Sequence, residues 1–374
     1  MSIGHRITAT QGRLNTRAGR TWASLSLPAK VVVVIAFYLA IAYFLPSGPV
    51  SRIMAPQSSW PFVLSGAVTI YILMALGLNV VVGYAGMLDL GYVGFYAVGG
   101  YVAAILMKNH GWNFWPALPV AIVAAAISGL ILGAPTLRLR GDYLAIVTLG
   151  FGLIVAVAAN NLVSVDGGPQ GISQIPHPPS VPHVKQLTYG VLSGKPYFYL
   201  TLAVLFVVVF FVRRLERSRV GRAWMAIRED EDVAELMGVP TYRFRLWSFA
   251  IGASVGGTAG AFYISQANHI DPTAFSYQIS ILVLVAVILG GSGNMFGVAL
   301  GAFVVEWLPE RFRQFANYRI LAFGAALVVL MIFRPEGLWP SRRRSAELQE
   351  VGTGGGMSAP LVAPSSEPAA EVEA

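Results

Sequence analysis

The amino-acid sequence predicts an all-α integral membrane protein, a polytopic bundle of about ten transmembrane helices, some short or broken. Three observations carry that expectation. Only 12% of the 374 residues are charged and 55% are hydrophobic, with a mean hydropathy of +0.63, whereas soluble globular domains carry about 25% charged residues. Apolar runs approaching the roughly 20 residues needed to cross hydrocarbon recur along the chain. Glycines repeat every fourth residue inside several of those runs, a spacing that lets helix backbones approach closely in lipid.

The elements follow in chain order. Residues 1–30 form a basic segment with Arg6, Arg13, Arg17, Arg20 and Lys30 and no acid. The first apolar run begins at Val31 and lacks a small-residue cleavage site, so it reads as a retained span. The expected spans are 31–46, 60–82, 92–107, 114–133, 143–163, 197–212, 246–265, 278–290, 296–308 and 319–333. Taking the N-terminus as cytoplasmic, about three-quarters of the Lys and Arg fall in the inside segments, which obeys the positive-inside rule. An even span count returns both termini to the cytoplasm. Trp60, Trp112, Trp115, Trp307 and Trp339 fall near span ends, as an aromatic belt requires.

Three segments outside the spans stand out. The loop 164–196 is rich in Pro, Gly and polar residues and is placed on the outer side. Residues 341–374 read as a disordered cytoplasmic tail, because the Gly, Ala, Pro and Ser of 352–374 cannot bury enough apolar surface to fold. The cytoplasmic loop 213–245 carries two amphipathic patterns. In the first, Val220, Trp224 and Ile227 share one helical face, with Arg222 and Arg228 on the other. In the second, Glu229, Asp230, Glu231 and Asp232 crowd a helix start, where acids suit the dipole. Val233, Leu236 and Met237 form its stripe, Gly238 stops it and Pro240 prevents continuation. That stripe either packs beneath the rest of the protein or docks a soluble partner.

Glycine placement separates packing from breakage. Gly252, Gly256 and Gly260 repeat at helical spacing, as do Gly293, Gly297 and Gly301, and both sets predict close helix packing. The stretch "NVVVGYAGMLDLGYVGFYAVGGY" (79–101) differs, since its glycines follow no single period and surround Asp89. A helix broken near the membrane survives only where protein or a water-filled cavity receives its backbone, and transporters use such breaks to build substrate paths. Asn79, Gly83, Gly86, Asp89 and Gly91 are therefore candidates for a translocation path. Alternatively, Asp89 sits in a short cytoplasmic turn and caps the helix that begins near Gly91.

Other chemistry is excluded by what is missing. The chain has no cysteine, no phosphate-binding loop, no HExxH and no G-x-S-x-G motif. No enzymatic activity, metal, cofactor or nucleic-acid partner is expected, and the spans hold too few carboxylates for an ion relay. Energy must arrive from elsewhere, and the 213–245 loop is where a separate ATPase could deliver it.

Five ordered motifs then carry a resemblance: "LGLNVVVGYAGMLDLGYVGFYAVGGYVAAIL", "LRLRGDYLAIVTLGFG", "ERSRVGRAWMAIREDEDVAELMGV", "VILGGSGNMFGVALGAFVVE" and "FRPEGLW". Together they resemble the LivM-type permeases of bacterial ABC importers for branched-chain amino acids, over about residues 60–340. The resemblance implies a permease domain (31–340) in a bacterial inner membrane, moving Leu, Ile and Val inward with ATP used only by partner subunits. Those partners are a second permease of the LivH type, two ATPases of the LivG and LivF type, and a periplasmic amino-acid-binding protein. It implies that the segment around Arg222, Arg228, Glu229, Asp230, Val233, Glu235, Leu236, Met237 and Gly238 is the cytoplasmic coupling helix region contacting an ATPase. Related permeases serve urea and short amides, which remains the alternative cargo; a self-sufficient secondary carrier is a further alternative.

Overall fold

The protein is described here from a computed structural model. It describes residues 59–136, 141–179 and 194–311, with 38, 41–46, 189–190, 324–325, 328 and 337–339. The basic segment 1–30, most of the first and last expected spans, and the tail 341–374 lie outside the described residues.

Apolar runs become helices where predicted: α1 (Trp60–Tyr84), α2 (Tyr92–Lys108), α3 (Phe114–Thr136), α4 (Asp142–Asn161) and α5 (Gly194–Glu216). Two amphipathic helices follow, α6 (Arg219–Glu229) and α7 (Glu231–Leu236), then α8 (Thr241–Ala267), α9 (Tyr277–Gly290) and α10 (Met295–Arg311). Among the described residues, five helices are long and apolar enough to cross a bilayer, and α2 is apolar but shorter. The expected ten spans are not reached within them. The only sheet among the described residues is β1 (Ile172–Ser173) paired antiparallel with β2 (His269–Ile270).

Long α8 sits at the centre, packed on α1, α2 and α3. Its glycines make that possible. A Cβ on Gly260 would lie 2.1 Å from the Tyr96 carbonyl oxygen of α2, and one on Gly252 2.7 Å from Val81 of α1. Gly256 faces the Tyr92 ring at 3.2 Å, and the Tyr92 hydroxyl donates to Gly252 O at 2.8 Å. A second close pair joins α9 and α10, where Gly297 and Gly301 would meet Gly290 O and Ala286 O at 2.3 and 2.2 Å. Gly293 does not share that face. It lies in the turn before α10 with φ +87°, so its freedom serves the turn and not helix packing. Trp60 also departs from the expected belt: it is buried, and its indole N–H donates to Leu45 O at 2.9 Å.

The connections between helices gather in two groups. One group collects 85–91, α6–α7, the 291–294 turn and 337–339, since Leu338 N and Trp339 N donate to Leu289 O and Gly290 O. The other collects 109–113, 162–177 and 268–276, joined by the β1–β2 pair and by Asn109 to Val165 O.

Candidate functional site

The site is built at the first of these groups, beginning with α7. Asp230 starts that helix as its N-cap, its Oδ1 accepting from Asp232 N and Val233 N at 2.9 and 3.0 Å. Gly238 ends it at φ +83°, with Gly238 N donating to Glu235 O and Val239 N to Ala234 O. Such a doubly bonded stop requires the left-handed conformation that glycine adopts without strain. Ala234 is the buried member of the helix, while Val233, Leu236 and Met237 are 53%, 86% and 79% exposed. In this chain the apolar stripe faces outward. Glu229, Asp230 and Glu235 are exposed beside it.

The support beneath α7 is buried. Ser218 caps α6 by accepting from Val220 N and Gly221 N. Trp224 and Ile227 are buried as the pattern predicted, and the Trp224 indole donates to Phe244 O at 2.6 Å. Arg245, on α8, is buried, pairs with Glu231 at the start of α7, and brings Nε to 3.1 Å from Met87 Sδ. Arg222 stays exposed. Arg228 does not lie with it on a solvent face. Its guanidinium turns inward and donates to Gly83 O, because the end of α1 presents carbonyls that its own helix cannot satisfy.

The glycine-laden stretch meets these groups directly. The last turns of α1, Asn79–Tyr84, are wound as a wide π-type coil, a local geometry common at functional sites. Asn79 is buried, and its Oδ1 accepts from Gly293 N at 2.9 Å. Gly83 has no room for a side chain, since a Cβ there would lie 1.9 Å from Asn79 Oδ1 and 2.7 Å from Gly293 N. Gly86, at φ +75°, lies flat against the Arg228 stem. The break at 85–91 joins α1 to α2, with Gly86 against Arg228 and its far end, Leu90 and Gly91, reaching Thr148 within α4.

Asp89 in that connection is buried, and its Oδ1 accepts from Gly91 N at 2.9 Å, just before α2 begins. That bond closes a local turn onto the amide of Gly91, the N-cap residue of α2, and no side chain caps the helix itself. Its Oδ2 has no hydrogen-bond partner among the described residues. Gly91 abuts α4, where a Cβ would lie 1.7 Å from Thr148 O, and Leu90 N donates to Thr148 Oγ1. Val93 N donates to Ser280 Oγ of α9. Thr148, Ser280 and Arg245 were not singled out from the sequence. Lone hydroxyls in apolar runs give no signal there, but an arginine opening the seventh run does.

At the opposite end, His177 Nδ1 lies 2.7 Å from Tyr197 Oη and 2.8 Å from Ser265 O, and the Tyr197 hydroxyl donates to Ser265 O. Asp271 is partly buried, which raises its pKa. Hydrogen bonds from the Thr273 hydroxyl and the Thr273 and Ala274 amides, with nearby His269, outweigh that and hold it below the usual carboxylate value. Among the described residues no group of three or more His, Asp or Glu converges to hold a metal.

Comparison with known proteins places this arrangement in context. Residues 62–334 match the family described as branched-chain amino acid transport system / permease component. The chain is 41% identical over 315 residues to the high-affinity branched-chain amino acid transport system permease protein LivM of Escherichia coli (strain K12), covering 78% of this chain and 74% of that protein. It is 27% identical over 321 residues to the probable branched-chain amino acid transport permease protein LivM of Methanocaldococcus jannaschii, covering 73% and 91%. It is 25% identical over 287 residues to the permease protein LivH of E. coli (strain K12), covering 72% and 90%. No solved structure matches the chain. With its apolar helical bundle and a match spanning all of the described long helices but the first two residues of α1, the chain belongs to the family of branched-chain amino acid transport system permease components.

Proposed function

We propose that this chain is the transmembrane permease subunit of an ATP-binding-cassette importer that moves Leu, Ile and Val into the cytoplasm by alternating access. It works in the bacterial inner membrane beside a second permease of the LivH type, receiving cargo from a periplasmic amino-acid-binding protein. Two ATPase subunits of the LivG and LivF type hydrolyse the ATP, and the permease itself carries no cofactor and no catalytic residue. Both termini are cytoplasmic, as the placement of Lys and Arg suggests. The cargo follows the names of the LivM relatives.

The observation that carries the reading is α7. A six-residue helix with fixed caps at both ends holds Val233, Leu236 and Met237 outward. An apolar face of this kind on a polar surface marks a docking site, and a short helix laid into a groove is a standard recognition mode. At about 25 cal/mol per Å² its burial supplies only a few kcal/mol, so it transmits motion more than it holds the assembly. The α1–α2 connection, with Asn79, Gly83, Gly86, Asp89 and Gly91, is the section of the path within its reach.

The test replaces Leu236 and Met237 together with Asp in the reconstituted importer. The permease should insert and pair with its second permease, while ATPase association, binding-protein-stimulated hydrolysis and uptake fall together. Normal uptake by the double variant removes α7 from the coupling role. A ligand screen of the partner binding protein tests the cargo independently.

A further inference from the structure

Arg228 lies where four segments meet. It belongs to the last turn of α6, two residues before the Asp230 cap that starts α7. Its guanidinium donates to Gly83 O in the wide coil ending α1, where a cation suits the negative end of the helix dipole. Its stem fills the space that a side chain at Gly86 would need, with Cγ 2.8 Å from the Cβ position there. Its Nη1 lies 3.0 Å from the corresponding position on Gly293. Gly293 N in turn donates to Asn79 Oδ1, which closes a ring of contacts through α1, the 291–294 turn and α6. A second tether runs in parallel, from Glu231 on α7 through Arg245 to Met87.

Gly83, Gly86 and Gly293 each meet this side chain. Gly86 and Gly293 have positive φ, and the coil that carries Gly83 is wound wider than an α-helix. At Gly86 and Gly293 the Arg228 side chain approaches backbone closely, and its Nη1 donates to Gly83 O; a planar guanidinium holds such a geometry more firmly than an ammonium would. The α6–α7 pair is thereby joined directly to the π-type coil that ends α1.

We propose that Arg228 is a positioning residue that ties the ATPase-facing helix pair to the junction of Gly83 and Gly86 with Gly293. Displacement of α7 then repositions the α1–α2 connection. This rests on the importer reading given above and assigns the link inside the permease rather than the surface that docks the ATPase. Arg228 acts from beneath that surface and touches no cargo.

The experiment uses the whole importer in proteoliposomes, with native Arg228, Arg228→Lys and Arg228→Gln. Each form also carries Leu88→Cys, a 41% exposed position in the connection of an otherwise cysteine-free chain. Three quantities are read: ATPase co-purification, amino acid taken up per ATP hydrolysed, and the maleimide labelling rate at position 88 with and without vanadate trapping. With native Arg228 the labelling rate should change on trapping. In Arg228→Gln that change should vanish and uptake per ATP should fall roughly fivefold or more, the lower range of a coupling free energy, with the ATPase still bound. Arg228→Lys, which keeps the charge but not the fork, should fall between. An unchanged labelling rate in the native protein overturns the proposal without any Arg228 substitution. So does uptake per ATP unchanged in an assembled Arg228→Gln importer, and so does a fall explained wholly by ATPase loss. If the native permease binds no ATPase at all, the importer reading fails instead.

Discussion

Asp89 shows how much one hydrogen bond decides. Its Oδ1 accepts the Gly91 amide at the entrance to α2, and Asn offers the same acceptor almost as well. Asp89→Asn should therefore fold normally and keep uptake within about twofold of the native rate, whereas Asp89→Leu should lose about 1–3 kcal/mol by orphaning a buried amide. Radiolabelled leucine uptake in membrane vesicles checks both, and a tenfold loss with Asn would place the carboxylate on the path. Asn79, a path candidate from the sequence, offers its carbonyl oxygen to Gly293 N. Arg228 was read as surface-facing and turns inward. The reading of Arg228 rested on helical spacing, which reports a face but not what arrives at that face from distant positions in the chain.

Among helices, two glycines of similar appearance in the sequence carry opposite risks. A Cβ on Gly260 meets the Tyr96 carbonyl at 2.1 Å inside the α8–α2 contact, so Gly260→Val must push these helices apart. Overpacking of this sort costs typically 1–3 kcal/mol or more, and the expected result is a lower thermal midpoint in detergent with reduced yield. Gly238 has nothing within 4 Å of its Cβ position but sits at φ +83°. Gly238→Val should cost about 1–2 kcal/mol through the left-handed backbone alone. It should leave the bundle intact and fray only the end of α7, so that ATPase co-purification drops while thermal stability holds. The regular spacing of Gly252, Gly256 and Gly260 made their packing role legible. Gly293 shared a four-residue period with Gly297 and Gly301, but the period is blind to the turn that places it outside α10.

For the whole molecule, the testable property is which end faces the cytoplasm. Cysteines at Arg222 and Gln170 sit at opposite ends of the bundle, and both positions are exposed. With an impermeant maleimide on intact cells, Gln170→Cys should label and Arg222→Cys should label only after permeabilisation. The reverse pattern would invert the orientation and with it the docking assignment for α7.

The membrane class, the positions of the described long helices and the Gly238 stop of α7 were determined by the sequence alone. Hydropathy, helical period, acids at a helix start and the preference of Gly238 for the left-handed conformation act over a few residues, so they can be read without knowing what lies nearby in space. The tertiary structure alone decided that α8 is central, that Arg245 is buried against Glu231 and Met87, and that 79–86, 228 and 291–294 form one junction. Those facts depend on which backbone carbonyls and glycine surfaces distant segments bring together. In lipid, where apolar side chains gain little by leaving their surroundings, that matching is made by close packing and hydrogen bonding between helices, and neither is written in the local order of residues.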